Sequence, residues 1–395
     1  MPDTFRQSPR AALPPNLRVA IIHDWLVTLR GGERVLDALC ELFPQAVVHT
    51  LVRLPGVATP RIEAMRHVTS FADRLPLAQK KHRWLLPLYP MAIESFDLSQ
   101  FDLVLSSSHC VAKAALAGPG AVHVCYCHTP VRYAWDRTDD YVSGSSPLLK
   151  LARPALHVAA KLLRDFDVAT LDRVDHFVAN SHNTANKIKQ FYHRDADVVP
   201  PPVECDRFMG LPPVPEDERY DLLLGGLVPY KRADLAVEAW RLMPERQLKI
   251  VGDGPERARL VRSAPANVQF IGRVPESELA SWYAGARLFV FPGEEDFGIV
   301  PLEAQAAGVP VVALGKGGAL ETVVDGKTGV FFHESTPQAL VAAVQQLDRL
   351  AVDPDTCRQH ARLFDRQAFL DRMAAIVAQA LLNRRGGPQH THEVA

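Results

Sequence analysis

Short runs of β-branched and apolar residues alternate with segments of helical period along most of the chain. In the first half, Val19–His23, Ala46–Val52, Leu103–Ser108, Ala121–His128 and His176–Ser181 predict strands. Gly32–Phe43 between the first two has the apolar spacing of a helix. In the second half, Asp221–Leu227, Gln247–Gly252, Val268–Ile271, Leu288–Pro292 and Val309–Ala313 predict strands. Asp234–Leu242, Glu276–Gly285 and Pro301–Ala307 predict the helices between them. Strand–helix alternation of this kind implies parallel sheets joined by right-handed crossovers.

Two such series are separated by a proline-rich stretch, Pro200-Pro201-Pro202 to Pro212-Pro213-Val214-Pro215, which disfavours helix and central strand and reads as a linker. The expectation is an α/β chain of two Rossmann-like domains, 17–205 and 206–364. A further helical pattern, 365–383, lies between the second domain and the C-terminal tail. Ligands of open α/β sheets bind beyond the carboxyl ends of the strands, so two such sheets could line one interdomain cleft. Residues 1–16 and 384–395 read as disordered tails.

Composition narrows the class. With 395 residues the chain is long for one core, and its 47% apolar and 23% charged content is ordinary for a globular protein. A net charge of −1 argues against nucleic acid as a partner held by bulk charge. Through Cys205 there are 23 Lys+Arg against 20 Asp+Glu, and beyond it 21 against 25. The six cysteines form no C-x-x-C pair and read as buried thiols. Cys125 and Cys127, with one residue between them, are expected on opposite faces of their strand. The start of the chain lacks the apolar stretch of a signal peptide, and no window suggests a transmembrane helix. A cytoplasmic location follows as the expectation.

The chemistry concentrates after the apolar run Phe289-Val290-Phe291. There Pro292-Gly293-Glu294-Glu295-Asp296-Phe297-Gly298-Ile299-Val300-Pro301-Leu302-Glu303 reads as a Gly- and acid-rich loop entering a helix, with Pro301 in the first turn. A carboxylate accepts two hydrogen bonds at once, which suits the vicinal diol of a ribose. The N–H groups of a helix start suit a diphosphate. Glutamates at helix starts can simply complement the dipole, but that covers Glu303 alone.

Glu295 and Glu303 in E-x7-E spacing, followed by Glu303-Ala304-Gln305-Ala306-Ala307-Gly308-Val309-Pro310, resemble the donor loop of glycosyltransferase family 4. Leu224-Gly225-Gly226-Leu227-Val228-Pro229-Tyr230-Lys231-Arg232 resembles that family's phosphate-binding segment. Val251-Gly252-Asp253-Gly254 and Phe270-Ile271-Gly272-Arg273 resemble its loops near the base, and Gly317-Gly318-Ala319-Leu320-Glu321 a later glycine loop. The resemblance covers about residues 17 to 380 and implies a GT-B fold and retention of anomeric configuration. It also suggests that the terminal helix crosses back to the first domain. His23-Asp24-Trp25-Leu26 with Arg30-Gly31-Gly32-Glu33-Arg34, and Cys127-His128-Thr129-Pro130 with Tyr133-Ala134-Trp135-Asp136, resemble the branch of bacterial O-antigen and exopolysaccharide mannosyltransferases. That branch implies GDP-mannose as donor and a polyprenyl-diphosphate-linked saccharide as acceptor.

The resemblance assigns roles to residues of this sequence. Lys231, Glu295 and His128 are the expected catalytic groups. Gly31, Gly32, Arg232, Gly252, Gly272, Arg273, Asp296, Phe297, Gly298, Ile299 and Glu303 are the expected donor contacts, with Glu303 on the ribose. His23 and Asp24 are candidate acceptor contacts. No metal or other cofactor is expected, because cations and helix N-termini would stabilise the leaving diphosphate. The family usually has Arg where this chain has Gly226, which leaves more of that charge to Lys231. Two other readings stay open: a GT-B epimerase or phosphorylase, and a nucleotide-sugar-binding protein with weak catalysis. Lys80-Lys81-His82-Arg83-Trp84-Leu85-Leu86-Pro87-Leu88-Tyr89 interleaves bases and apolar residues. Either it is a solvated helix end, or it is a surface for the inner leaflet of the membrane.

Overall fold

The computed structural model describes residues 13–131, 135, 147–212 and 214–386. Most of both expected tails, Pro213 of the proline-rich stretch, and Tyr133, Ala134 and Asp136 lie outside the described residues. The chain divides into two compact units. The first holds the chain through Asn180, Thr184–Val199 and the segment from Phe369 onward; the second holds Ser181–Asn183 and Pro200–Ala368.

The first unit is built on a seven-stranded parallel sheet. Its strands are β1 (Val19–His23), β2 (Val47–Thr50), β3 (Arg66–Thr69), β4 (Leu103–Ser108), β5 (Val122–Cys127), β6 (His176–Ala179) and β7 (Ala196–Val198). Their order is β3-β2-β1-β4-β5-β6-β7, so the direction of winding reverses between β1 and β4. Central strands are buried on both faces because helices cover both, which explains their continuous apolar runs. Alternation divides β1: Ile21 joins the core with Leu36, Leu39, Val124 and Tyr126, while Ala20 and Ile22 join the one with Tyr89, Ile93 and Val104.

Cys125 and Cys127 correct an expectation. Both pack in one cluster with Phe177 and Tyr192, while Tyr126 between them faces the other side. Residues two apart on a strand share a face. All six cysteines are free and buried, and burial pushes the Cys125 thiol up to about 12.

The second unit holds a six-stranded parallel sheet. Its strands are β8 (Tyr220–Leu224), β9 (Leu248–Val251), β10 (Val268–Gly272), β11 (Ala286–Phe291), β12 (Val311–Leu314) and β13 (Gly329–Phe332). The order β10-β9-β8-β11-β12-β13 reverses between β8 and β11. The proline-rich stretch is not a solvated tether. Val203, Cys205 and Phe208 are buried in this unit's core, and Val203 bridges Asp365.

The last helix, Arg366–Gly386, runs further than the expected 383. From Phe369 it belongs to the first unit, where Phe369, Leu370, Met373, Ala374 and Val377 join the core around Ile21. Their spacing puts one stripe of the helix on the sheet. Each fully buried Leu, Met or Phe of this kind contributes about 1.5–3 kcal/mol.

Candidate functional site

In open α/β sheets the loops at the winding reversal splay apart beyond the strand ends and leave room for a ligand. In the second unit these are the loops after β8 and β11, and both carry expected site residues. After β8 a 3₁₀ turn, Pro229–Lys231, aims Lys231 back toward the strand end. Its Nζ lies 2.8 Å from Glu295 Oε1 in the loop after β11, with both side chains about one-fifth exposed. An anionic ligand entering here would meet the Lys231 ammonium and compete with Glu295 for it.

Glycines let these loops close on one another. A Cβ on Gly252 would sit 1.9 Å from the Gly225 carbonyl oxygen, and one on Gly293 would sit 2.6 Å from Lys231 Cα. Gly252 also donates its N–H to the Gly272 carbonyl at 2.7 Å, and Gly272 holds a φ of 87° that favours glycine. Arg273, the next residue, is exposed.

Gly298, at φ 94°, caps the helix Ile299–Ala306. The first N–H groups of a helix have no intrahelical acceptor, so this end suits an anion. Pro301 sits at the third helical position, where its missing N–H costs nothing. Asp296 and Phe297 are buried, the Phe297 ring 5.9 Å from that of Phe364. Glu303, in the second turn of this helix, is 2% exposed, and its Oε2 accepts a 2.9 Å hydrogen bond from the Tyr283 hydroxyl. The guanidinium of Arg232, expected as a second cation, is engaged by Asp234 Oδ1 at 3.1 Å and Ser335 Oγ at 2.7 Å.

In the first unit the winding reversal lies between β1 and β4, and a cluster of imidazoles gathers at that edge. His23 ends β1 and is fully buried; its Nδ1 lies 3.1 Å from Ser107 Oγ on β4. The same hydroxyl lies 2.8 Å from Nε2 of His128, just past β5. The backbone of His128 is pinned by its N–H to the Ser108 carbonyl at 2.9 Å and by Asn180 Nδ2 to its carbonyl at 2.9 Å. Gly31 and Gly32 open the helix Gly31–Leu42, separated from β1 by residues 24–30 rather than following it directly. A Cβ on Gly32 would meet His128 Nε2 at 3.7 Å and His23 Cε1 at 3.8 Å, ordinary contact distances.

Asp24 departs from its expected role as an acceptor contact. Its carboxylate is fully buried and accepts four backbone N–H groups, from His109, Cys110, Val111 and Ala112, at 2.8–2.9 Å. His109 Nδ1 adds a contact at 3.2 Å. With both oxygens saturated, Asp24 shapes the turn after β4. Nothing in the sequence near Asp24 marks a partner 85 residues away.

Sequence reasoning passed over Ser107, Glu33 and Tyr283. Ser107 carried one available signal, a run of three serines closing an apolar strand. Trp135, the described member of its motif, donates Nε1–H to Asp167 Oδ2 at 2.9 Å and stacks on Phe191 at 4.7 Å. It anchors the chain downstream of His128. The basic segment after Leu77 is also a surface. Trp84 is 74% exposed, Leu77 58% and Met91 57%, with Lys80, Lys81 and Arg83 exposed among them. Lys81 Nζ rests 4.0 Å over the Trp84 ring. Among the described residues, no helix is long and apolar enough to cross a membrane.

Two family models match this chain, one after the other. The one described as Glycosyltransferase Family 4 takes residues 29–207, and Glycosyl transferases group 1 takes residues 209–363. The chain belongs to glycosyltransferase family 4. Among curated relatives, a D-inositol 3-phosphate glycosyltransferase of Thermobispora bispora is 31% identical over 53% of this chain and 57% of its own length. A GDP-mannose-dependent alpha-(1-6)-phosphatidylinositol monomannoside mannosyltransferase of Mycolicibacterium smegmatis is 36% identical over 51% of this chain and 57% of its own. The aligned part thus spans little more than half the length of these relatives. Solved structures share the GT-B fold. A sucrose-phosphate synthase of Thermosynechococcus elongatus superposes with a TM-score of 0.69 at 19% identity, covering 93% of this chain and 100% of that one. HepE of Anabaena, in complex with UDP and glucose, gives 0.65 at 14% identity, over 92% and 100%.

Proposed function

We propose that this family 4 chain is a retaining hexosyltransferase that moves mannose from GDP-mannose onto a lipid-linked saccharide during assembly of a cell-surface polysaccharide. The observation that carries the reading is the Lys231–Glu295 pair at the β8/β11 reversal, beside the helix start at Gly298. It supplies a displaceable cation next to N–H groups, which is what a departing nucleoside diphosphate needs. Glu303 holds the ribose in this reading, with Tyr283 fixing its carboxylate. Similarity to the mannosyltransferase of Mycolicibacterium smegmatis favours mannose and GDP.

In the reaction the bond from the anomeric carbon to the diphosphate oxygen breaks as the carbon gains oxocarbenium character. The acceptor oxygen bonds that carbon on the same face, and the acceptor's proton passes to the leaving phosphate oxygen. Lys231 and the helix start neutralise the departing charge, with no metal required. His128 is the remaining catalytic candidate in this reading, its Nε2 2.8 Å from Ser107 Oγ.

Several relatives bear the name D-inositol 3-phosphate glycosyltransferase, which favours a second reading in which the acceptor is a soluble phosphorylated polyol. The exposed Trp84, Leu77 and Met91 among Lys80, Lys81 and Arg83 favour the lipid-linked acceptor, because cations meet anionic head groups while the apolar side chains enter the interface. A thermal-shift screen with GDP, UDP, ADP and their sugars tests the donor: GDP-mannose should raise the melting temperature most. Protection by a uridine donor alone would overturn the assignment. Vesicles of anionic lipid should retain the wild type and release the variant with Lys80, Lys81 and Arg83 changed to Ser. Equal retention of both removes this surface from the account.

A further inference from the structure

The helix Pro147–Ala169 carries apolar residues on two faces, and the fold buries one of them. Leu163 is buried, and Phe166 packs with it against the core that holds Tyr89, Ala92 and Ile93. Asp167, also buried, anchors the helix. Its Oδ1 lies 3.1 Å from Nζ of the buried Lys113, and its Oδ2 accepts the Trp135 Nε1–H at 2.9 Å and the Tyr192 hydroxyl at 2.8 Å. Rolling the helix about its axis would break this pair and strand a buried charge. The other face is thereby held outward. Leu162 is 64% exposed and Val158 59%; four residues apart, they share one stripe. His157, Lys161 and Arg164 recur at helical spacing beside them and are exposed, the Arg164 guanidinium also lying over the Trp135 ring. From Pro147 to Arg164 the helix sequence holds Lys150, Arg153, Lys161 and Arg164 and no acidic residue.

We propose that this face of the helix, Val158 and Leu162 bordered by Lys161, is a second contact of the first unit with an anionic lipid surface. A lipid interface satisfies both features at once: head groups take the cations, and the acyl boundary takes the leucine and valine. Among the described residues no helix is long and apolar enough to cross a membrane, so this one would lie in the interface. A second copy of the chain fits poorly, because a two-fold contact through the same acid-free face sets cations opposite cations. The placement agrees. Leu85 and Leu86 of the Lys80–Tyr89 segment pack against the same core as Leu163 and Phe166. Arg173, just past the helix, donates to Glu94 Oε1 at 2.7 Å. Both elements therefore cover the face of the first sheet that carries Ala20, Ile22 and Val104. The exposed Leu77, Trp84 and Met91 stand over that same face.

This inference rests on the membrane contact in the function proposed above and not on the identity of the donor. All six native cysteines are buried, so a full chain with Leu162→Cys takes an environment-sensitive fluorophore at that one position. Its emission should shift to the blue with vesicles of phosphatidylcholine and phosphatidylglycerol, and stay unchanged with phosphatidylcholine alone. The same label at Leu242→Cys, exposed on the second unit, should stay unchanged with both. Val158→Ser with Leu162→Ser should weaken retention by the anionic vesicles roughly 10-fold or more, and Lys161→Ser roughly 5-fold, with melting temperatures unchanged. A label at position 162 that stays solvated while the anionic vesicles retain the chain overturns this inference and leaves the Lys80–Arg83 contact standing. A chain that neither vesicle retains overturns both, and sugar transfer to a soluble acceptor would still uphold the donor assignment. A blue shift without lipid that grows with protein concentration would assign the face to a second copy and overturn the proposal.

Discussion

Placing an arginine at position 226 is expected to tighten the binding of a nucleoside diphosphate. Most glycines in the loops after β8 and β9 cannot carry a side chain: a Cβ would lie 1.9 Å from a carbonyl oxygen at Gly252 and 2.3 Å at Gly254. Gly226 differs. Its nearest neighbour to a built Cβ is the Asp253 carbonyl oxygen at 4.0 Å, and its φ lies outside the left-handed region. Gly226→Arg should therefore fold, with unfolded-state entropy adding about 0.4–1 kcal/mol of stability. A guanidinium reaching the diphosphate should add about 1.5–3 kcal/mol, the range for hydrogen bonds to charged groups. That corresponds to roughly 10- to 150-fold tighter binding. Calorimetric titration with GDP on wild type and variant measures the difference directly. A variant that melts no lower than wild type yet binds GDP equally would show that this loop does not face the diphosphate.

Three other expectations follow from single side chains. Glu303→Gln keeps an oxygen for the Tyr283 hydroxyl but loses the charge; the donor Michaelis constant should rise about 10-fold with turnover within about 3-fold, and an unchanged constant removes Glu303 from the ribose. Asp24→Asn should leave two of the four N–H donors without an acceptor and cost about 2–5 kcal/mol in urea unfolding; a loss under about 1 kcal/mol would mean that the nest tolerates an amide. Burial lowers His49 and His123 to about 4, so the unfolded chain binds more protons than the folded one between about pH 4 and 6.5. The stability from keeping them neutral is present above pH 6.5 and lost as pH falls through that window, by up to about 3 kcal/mol each. Melting temperatures flat from pH 7 to 4 would contradict the burial of these rings.

Much of the fold was legible because the central strands are buried on both faces. β1 and β4 match their expected bounds residue for residue, since their apolar runs, closed by His23 and by three serines, are buried throughout. The strands that escaped, β3, β7 and β13, are all sheet edges. Arg66-His67-Val68-Thr69 and Ala196-Asp197-Val198 keep polar residues that a central strand would exclude, and so carry no apolar signature. The helix Pro147–Ala169 escaped as well. At the site, the Glu295 loop and Lys231 were readable because their chemistry is local in sequence. Asp24 and Ser107 were not, because their roles are set by partners on other strands and turns, 85 residues away for Asp24 and 84 and 21 for Ser107.

The central claim is that Lys231 carries the leaving diphosphate in a sugar-transfer reaction. Nucleotide release from GDP-mannose, followed with the wild type and Lys231→Ala in the presence of a lipid-linked saccharide, tests it most directly. The wild type should release GDP with a matching mannosylated product. The variant should fall roughly 10²- to 10³-fold, the loss of one preorganised charge at the leaving group, while its melting temperature stays close to wild type. Wild-type rates in Lys231→Ala would contradict the account.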